Sequence, residues 1–190
     1  MRVASLVQFV AMLVPVAAQA QASSANSVAA QTQSPAPATA AAPAQPPSPC
    51  ATGAYREFDF WAGEWVVKDA SGDEAGRNTI TIEQGGCVLI ERWSGADGTT
   101  GISLNFYDPV ARIWTQTWVS PGAVLTMTGG LVDGEMVLEG PLHYLQKARA
   151  TRLKGTWTRL PDGRLRQHFV ESKDEGKTWT EWFDGYYSRI

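Results

Sequence analysis

From residue 64 to residue 189 the chain is broken into ten short β-type runs, and this punctuation constrains the fold more than any other feature. The runs cover 64–69, 77–84, 87–94, 101–108, 112–119, 123–128, 135–139, 150–160, 164–172 and 179–189. Between them stand turn-forming residues such as Ser71-Gly72, Gly85-Gly86, Asp97-Gly98, Gly129-Gly130, Asp133-Gly134 and Asp162-Gly163. Glycine reaches positive φ without a Cβ clash, and aspartate bonds to its own backbone, so each pair reverses the chain for a stated reason. No stretch after residue 65 carries sustained helical periodicity; a short helix or turn is expected only around residues 55–61. Ten strands joined by hairpin-length connections imply an antiparallel meander, and a sheet that long normally curls and closes. The expected fold is therefore all-β, an up-and-down antiparallel barrel of about ten strands. The same alternation permits a β-sandwich.

Alternation assigns faces. In run 150–160, Leu153 and Trp157 share one side, and Arg152, Lys154, Thr156 and Thr158 share the other. If tryptophan-bearing faces point inward, polar residues go in with them. Glu91 travels with Leu89 and Trp93, Gln116 lies between Trp114 and Trp118, and Gln167 lies between Leu165 and Phe169. Asn105 joins them from the face opposite Leu104 and Phe106. Buried polar side chains need partners, which a ligand, ordered water or one another would supply. The candidate ligand-binding residues are thus Glu91, Trp93, Asn105, Trp114, Gln116, Trp118 and Gln167.

The N-terminal part is different in kind. Residues 1–22 read as a secretory signal peptide, with Arg2 as the positive region and residues 3–18 as the apolar region. Two small-x-small sites, Ala18-Gln19-Ala20 and Ala20-Gln21-Ala22, follow. Residues 23–49 hold Ala, Pro, Ser, Gln and Thr with no aromatic and no charge, a composition that cannot offset ordering entropy. They read as a linker with a reach of roughly 30 Å or more. The β domain is residues 50–190, and it contains all eight tryptophans. Export places the protein in the periplasm or outside the cell, where an even pair of cysteines, Cys50 and Cys87, suggests one disulfide. The formal charge of −3 becomes −4 once Arg2 is removed. With no basic run among aromatics, nucleic acid is an unfavoured partner, and no stable membrane insertion is expected after cleavage.

The domain opens on Phe58-Asp59-Phe60-Trp61-Ala62-Gly63-Glu64-Trp65. With Gly86-Cys87-Val88-Leu89, Asn105-Phe106-Tyr107-Asp108-Pro109, Trp114-Thr115-Gln116-Thr117-Trp118 and Phe183-Asp184-Gly185-Tyr186-Tyr187, it resembles an uncharacterised bacterial family of calycin-like proteins over nearly all of residues 55–189. The resemblance implies a lipocalin-like or nitrobindin-like barrel and no established reaction. By that similarity Trp65 of the Gly63-x-Trp65 motif plugs one barrel end and Arg189 covers it; Trp61, in the same opening motif, reads as a structural residue. Nitrobindin-like barrels bind haem through a histidine, which makes His143 and His168 candidate iron ligands. His143 falls in an expected loop, 141–147, and His168 alternates with Arg164 and Arg166 on a face that suits solvent.

Residues 172–179 match the Asp-box pattern S-x-D-x-G-x-T-W of sialidase propellers. Propellers repeat the box and this chain has one, so Asp174, Gly176 and Trp179 read as a folded hairpin. Glu91 and Glu171 would suit paired-carboxylate chemistry if both point inward. No nucleophile elbow, phosphate loop or metal-spaced cluster is present. The expected function is binding of a small, partly apolar or amphipathic ligand without a resident cofactor. The other class is an envelope interaction module with a filled barrel.

Overall fold

The computed structural model describes residues 47–190. The expected signal peptide and nearly all of the linker lie outside the described residues. The ten strands are β1 (Gly63–Lys68), β2 (Glu74–Glu83), β3 (Val88–Gly95), β4 (Thr100–Asp108), β5 (Ile113–Val119), β6 (Ala123–Val132), β7 (Glu135–Tyr144), β8 (Arg149–Arg159), β9 (Leu165–Ser172) and β10 (Thr180–Arg189). Each pairs antiparallel with its sequence neighbours, and β1 pairs with β10 to close the barrel, in the order β1-β10-β9-β8-β7-β6-β5-β4-β3-β2. Closure leaves no edge strand to template aggregation. The fold is the expected up-and-down barrel, not a sandwich, and is compatible with a calycin-like architecture.

Two turn expectations are corrected. Gly129-Gly130 is not a turn, because β6 runs through it to Val132 and reverses at Asp133-Gly134, both with positive φ. Residues 141–144 are not loop, because β7 continues through Pro141 to Tyr144. The β6–β7 ladder pairs Leu125 with Leu142 and Thr128 with Glu139, with Gly140-Pro141 between. A Cβ on Gly129 would overlap the carbonyl oxygen of Val137, and one on Gly140 that of Thr126. These glycines mark close backbone approach, the other meaning of glycine in a strand.

One barrel end is shut. Short 3-10 turns at Gly53–Arg56 and Asp59–Trp61 lay Phe58 and Trp61 across it, both fully buried. Phe58 stacks on Trp61 with ring centroids 5.0 Å apart and meets Trp157 and Trp114 edge-on at 5.1 and 5.6 Å. Trp65 donates its indole N–H to the Trp61 carbonyl at 2.9 Å, and the Arg189 guanidinium lies 4.3 Å from its ring centroid. Gly63 has φ 137° beside that guanidinium, and any Cβ there would strike it. The lead-in is fastened by the Cys50–Cys87 disulfide and by Arg56, which donates to the Gly86 carbonyl at 2.8 Å and to Asp59 at 2.7 Å. Among the described residues, no helix is long and apolar enough to cross a membrane.

Candidate functional site: the open half of the calyx

The opposite end carries the β1–β2, β3–β4, β5–β6, β7–β8 and β9–β10 connections. Beneath it the lumen is not filled. A cavity of about 480 Å³ descends from the rim, within the range typical of small-molecule sites. Trp93, Trp118, Phe169, Trp182 and Phe183 form its wall, and Glu91, Gln116, Gln167 and Tyr187 its polar floor.

Glycines keep the wall rings out of the lumen. A Cβ on Gly101 would overlap the Trp118 indole, one on Gly155 the Phe169 ring, and one on Gly185 the Phe183 ring. Gly76 also lies close to Trp93, 2.8 Å from a Cβ position to the indole edge. Gly76, Gly101, Gly155 and Gly185 are all buried. Each ring therefore lies back against a bare stretch of sheet, which is the physical reason the cavity stays open. A bulge in β10 adds a further ring: Glu181 pairs with Val170 and Phe183 with Phe169, leaving Trp182 as the extra residue. That offset lets the adjacent Trp182 and Phe183 both line the cavity, which strict alternation forbids.

The floor is a continuous polar network. Asn78 donates to Glu91 Oε1 at 2.7 Å, and Ser103 Oγ donates to Glu91 Oε2 at 2.6 Å. Asn105 donates to Ser103 Oγ at 2.8 Å and to the Leu89 carbonyl at 3.2 Å, and Gln116 donates to Asn105 Oδ1 at 2.8 Å. On the other side Asn78 also reaches the Tyr187 hydroxyl at 3.2 Å, and that hydroxyl donates to Gln167 Oε1. Burial pushes Glu91 up to about 7, against the opposing pull of its hydrogen bonds from Ser103 and Asn78. Burial, with the Glu91 charge beside it, holds the Tyr187 hydroxyl well above its ordinary value.

At the rim Tyr144 donates to Glu171 Oε1 at 2.9 Å and accepts from the Trp182 indole at 3.2 Å. Arg149 and Lys173 lie 3.9 and 3.7 Å from the Glu171 carboxylate. Asp69, Glu74 and Asp97 stand on the cavity lining itself. The carboxyls of Asp69 and Asp97 are held below their ordinary range, chiefly by hydrogen bonds from Ser71 and Thr99 respectively.

The structure gathers Glu91, Trp93, Gln116, Trp118 and Gln167 on one cavity. Asn105 lies beneath its floor, fully buried, and Trp114 belongs to the closed end, where its indole N–H meets Glu57 at 3.3 Å. Both histidines sit on the outer face: His143 is exposed on β7, and His168 lies 3.4 Å from Glu181. Neither lines the cavity, so neither is positioned to ligate an iron held there. Glu171 is buried but is held by Tyr144 and does not line the cavity with Glu91. The Asp-box is a hairpin: Asp174 accepts from the Thr178 amide and hydroxyl, Ser172 accepts from the Gly176 amide, and Trp179 donates to the Gly176 carbonyl. Lys154 caps the Trp179 ring at 4.3 Å. Missing from the sequence reading were Asn78, Ser103 and Tyr187 in the floor and Trp182 and Phe183 in the wall. Tyr187 and Phe183 were accessible to alternation from Arg189; the bulge hid Trp182. No family model matches the chain, and no curated protein matches it at a significant level.

Proposed function

We propose that this is an exported calycin-like barrel that binds a small, partly apolar ligand in the open half of its calyx. The observation that carries this reading is the cavity of about 480 Å³ with ring-lined walls and a hydrogen-bonded floor. A barrel meant only to display loops has no reason to hold its aromatics back on glycines, because filling the lumen would stabilise it. Export is supported by the Cys50–Cys87 disulfide, a bond that persists in oxidising compartments, together with the signal-like residues 1–22. The test is a tryptophan-fluorescence titration of the purified barrel with the neutral probe N-phenyl-1-naphthylamine. Saturable quenching with probe enhancement is expected, weakened by Trp118→Ala. Absence of saturable binding across a panel of apolar probes overturns the reading.

A further inference from the structure

The charges on the cavity are all of one sign. Its rim carries Asp69, Glu74 and Asp97, and its floor carries Glu91; no lysine, arginine or histidine is among the described residues that line it. Arg149 and Lys173, at the same end, lie against Glu171 outside the lining. Glu74 has Arg77 at 3.5 Å, a pair exposed to solvent. Between rim and floor stand the rings of Trp93, Trp118, Phe169, Trp182 and Phe183. Aromatic faces present negative quadrupole charge, and rings grouped around a cation recognise quaternary and protonated amines. A carboxylate at the base of such a cage is the complementary charge, and Glu91 is only 4 % exposed there. An anionic ligand would meet repulsion at every depth of this cavity, and a neutral one would leave the charge pattern without use.

From this arrangement we infer that the ligand is an organic cation with an apolar body, its ammonium group directed to Glu91 within the aromatic wall. The inference rests on the proposal that the calyx binds a small ligand. It also sets a direction for pH. Glu91 is faced by Asn78 from β2, Ser103 from β4 and Tyr187 from β10, none of them charged near neutrality. The charged groups nearest the opening are Asp69, Glu74 and Asp97. Asp69 and Asp97 stay ionised through the neutral range because their hydrogen bonds favour the charged form. Burial places Glu91 near 7, so a cation of fixed charge gains its partner as pH rises through that value.

The experiment displaces N-phenyl-1-naphthylamine with three ligands of equal chain length: octyltrimethylammonium, 1-octanol and octanoate. The cation is expected to compete at least tenfold better than 1-octanol, and octanoate worst of the three. From pH 6 to pH 8 the cation's affinity should rise severalfold while that of 1-octanol stays level. In Glu91→Gln the cation's advantage over 1-octanol should fall severalfold and its pH dependence between pH 6 and pH 8 should disappear. The pH series on the wild-type barrel decides the matter even if that variant fails to fold. If the probe enters but octanoate or 1-octanol matches the cation, the binding reading stands and the cation assignment is overturned. If neither the probe nor any of the three binds, both are overturned.

Discussion

At the closed end of the barrel Phe58, Trp61, Trp114 and Trp157 interlock with ring centroids between 5.0 and 5.6 Å, whereas at the open end Trp93 and Phe183 meet only at 6.2 Å and Phe169 and Phe183 at 6.4 Å. Both ends draw on the same residue types. What differs is the support behind each ring. The closed-end rings are pressed inward by the lead-in segment and cover one another, and Trp61 and Trp157 are completely buried. The open-end rings lie back on Gly76, Gly101, Gly155 and Gly185, and the cavity stays open between them. An aromatic residue is thus filler or wall according to whether the sheet beside it offers a side chain or a bare backbone. The contrast puts the tight packing at one end and the proposed binding at the other.

The strongest way to break that division is to cut into the closed end. Trp61→Ala removes a fully buried indole, and such truncations typically cost about 3–5 kcal/mol. Denaturant unfolding should register that loss, while folded protein still binds N-phenyl-1-naphthylamine with near wild-type affinity. Impaired binding by the folded fraction would mean the two ends are coupled. Next in size is the Cys50–Cys87 bond, which closes a loop of sequence separation 37. Replacing both cysteines by serine should cost about 3–4 kcal/mol in the chain-entropy picture, again with binding retained.

The strand count, the antiparallel meander and the Gly63-x-Trp65 plug with Arg189 were all legible, because each depends on residues a few positions apart or on a family pattern. Glu91, Gln116 and Gln167 could be placed on the inward face by period-two alternation alone. Whether they faced a cavity or a filled core was not legible, since that depends on Gly101 lying beneath Trp118 and Gly155 beneath Phe169, pairings between strands. Trp182 was hidden for a related reason: one bulge shifts the phase of β10, and no residue of that run announces it. Gly129 shows the opposite failure. Its glycine signal was real, but it marked two backbones drawn together rather than a reversal.

Glu91 sharpens the comparison from the binding side. Its carboxyl is pushed from an ordinary 4.5 up to about 7, so the folded state holds the proton more tightly than the unfolded chain. The penalty is therefore absent below about pH 4.5, grows as pH rises towards 7, and is complete above it. A carboxyl held that far above its ordinary value costs on the order of 3 kcal/mol once ionised. Glu91→Gln keeps the shape and can still accept from Asn78 and donate to Ser103. It should gain up to about 3 kcal/mol over wild type at pH 8, relative to their difference at pH 4, in paired denaturation curves. A flat difference across that range would mean that Glu91 is not desolvated and the floor is wetter than the structure indicates. A residue that weakens the fold at neutral pH, at the base of an open cavity, fits a group kept for binding.

The finest test concerns the glycine seats themselves. Gly101→Ala should drive the Trp118 indole off the sheet and into the lumen, costing about 1–3 kcal/mol as overpacking and reducing probe binding. Trp118→Ala should instead leave more room and weaken binding about tenfold, roughly 1.4 kcal/mol of lost contact. The two changes are expected to couple. Once the indole is gone the new methyl has nothing to displace, so the double variant should be more stable than the sum of the single losses predicts, by roughly 0.5–3 kcal/mol. Additive losses would mean that the ring can move aside without strain, and that the open end is held apart by something other than its glycines. A clear coupling would locate the difference between the two ends in the missing side chains of four positions, and it would predict that filling those seats turns this end, too, into core.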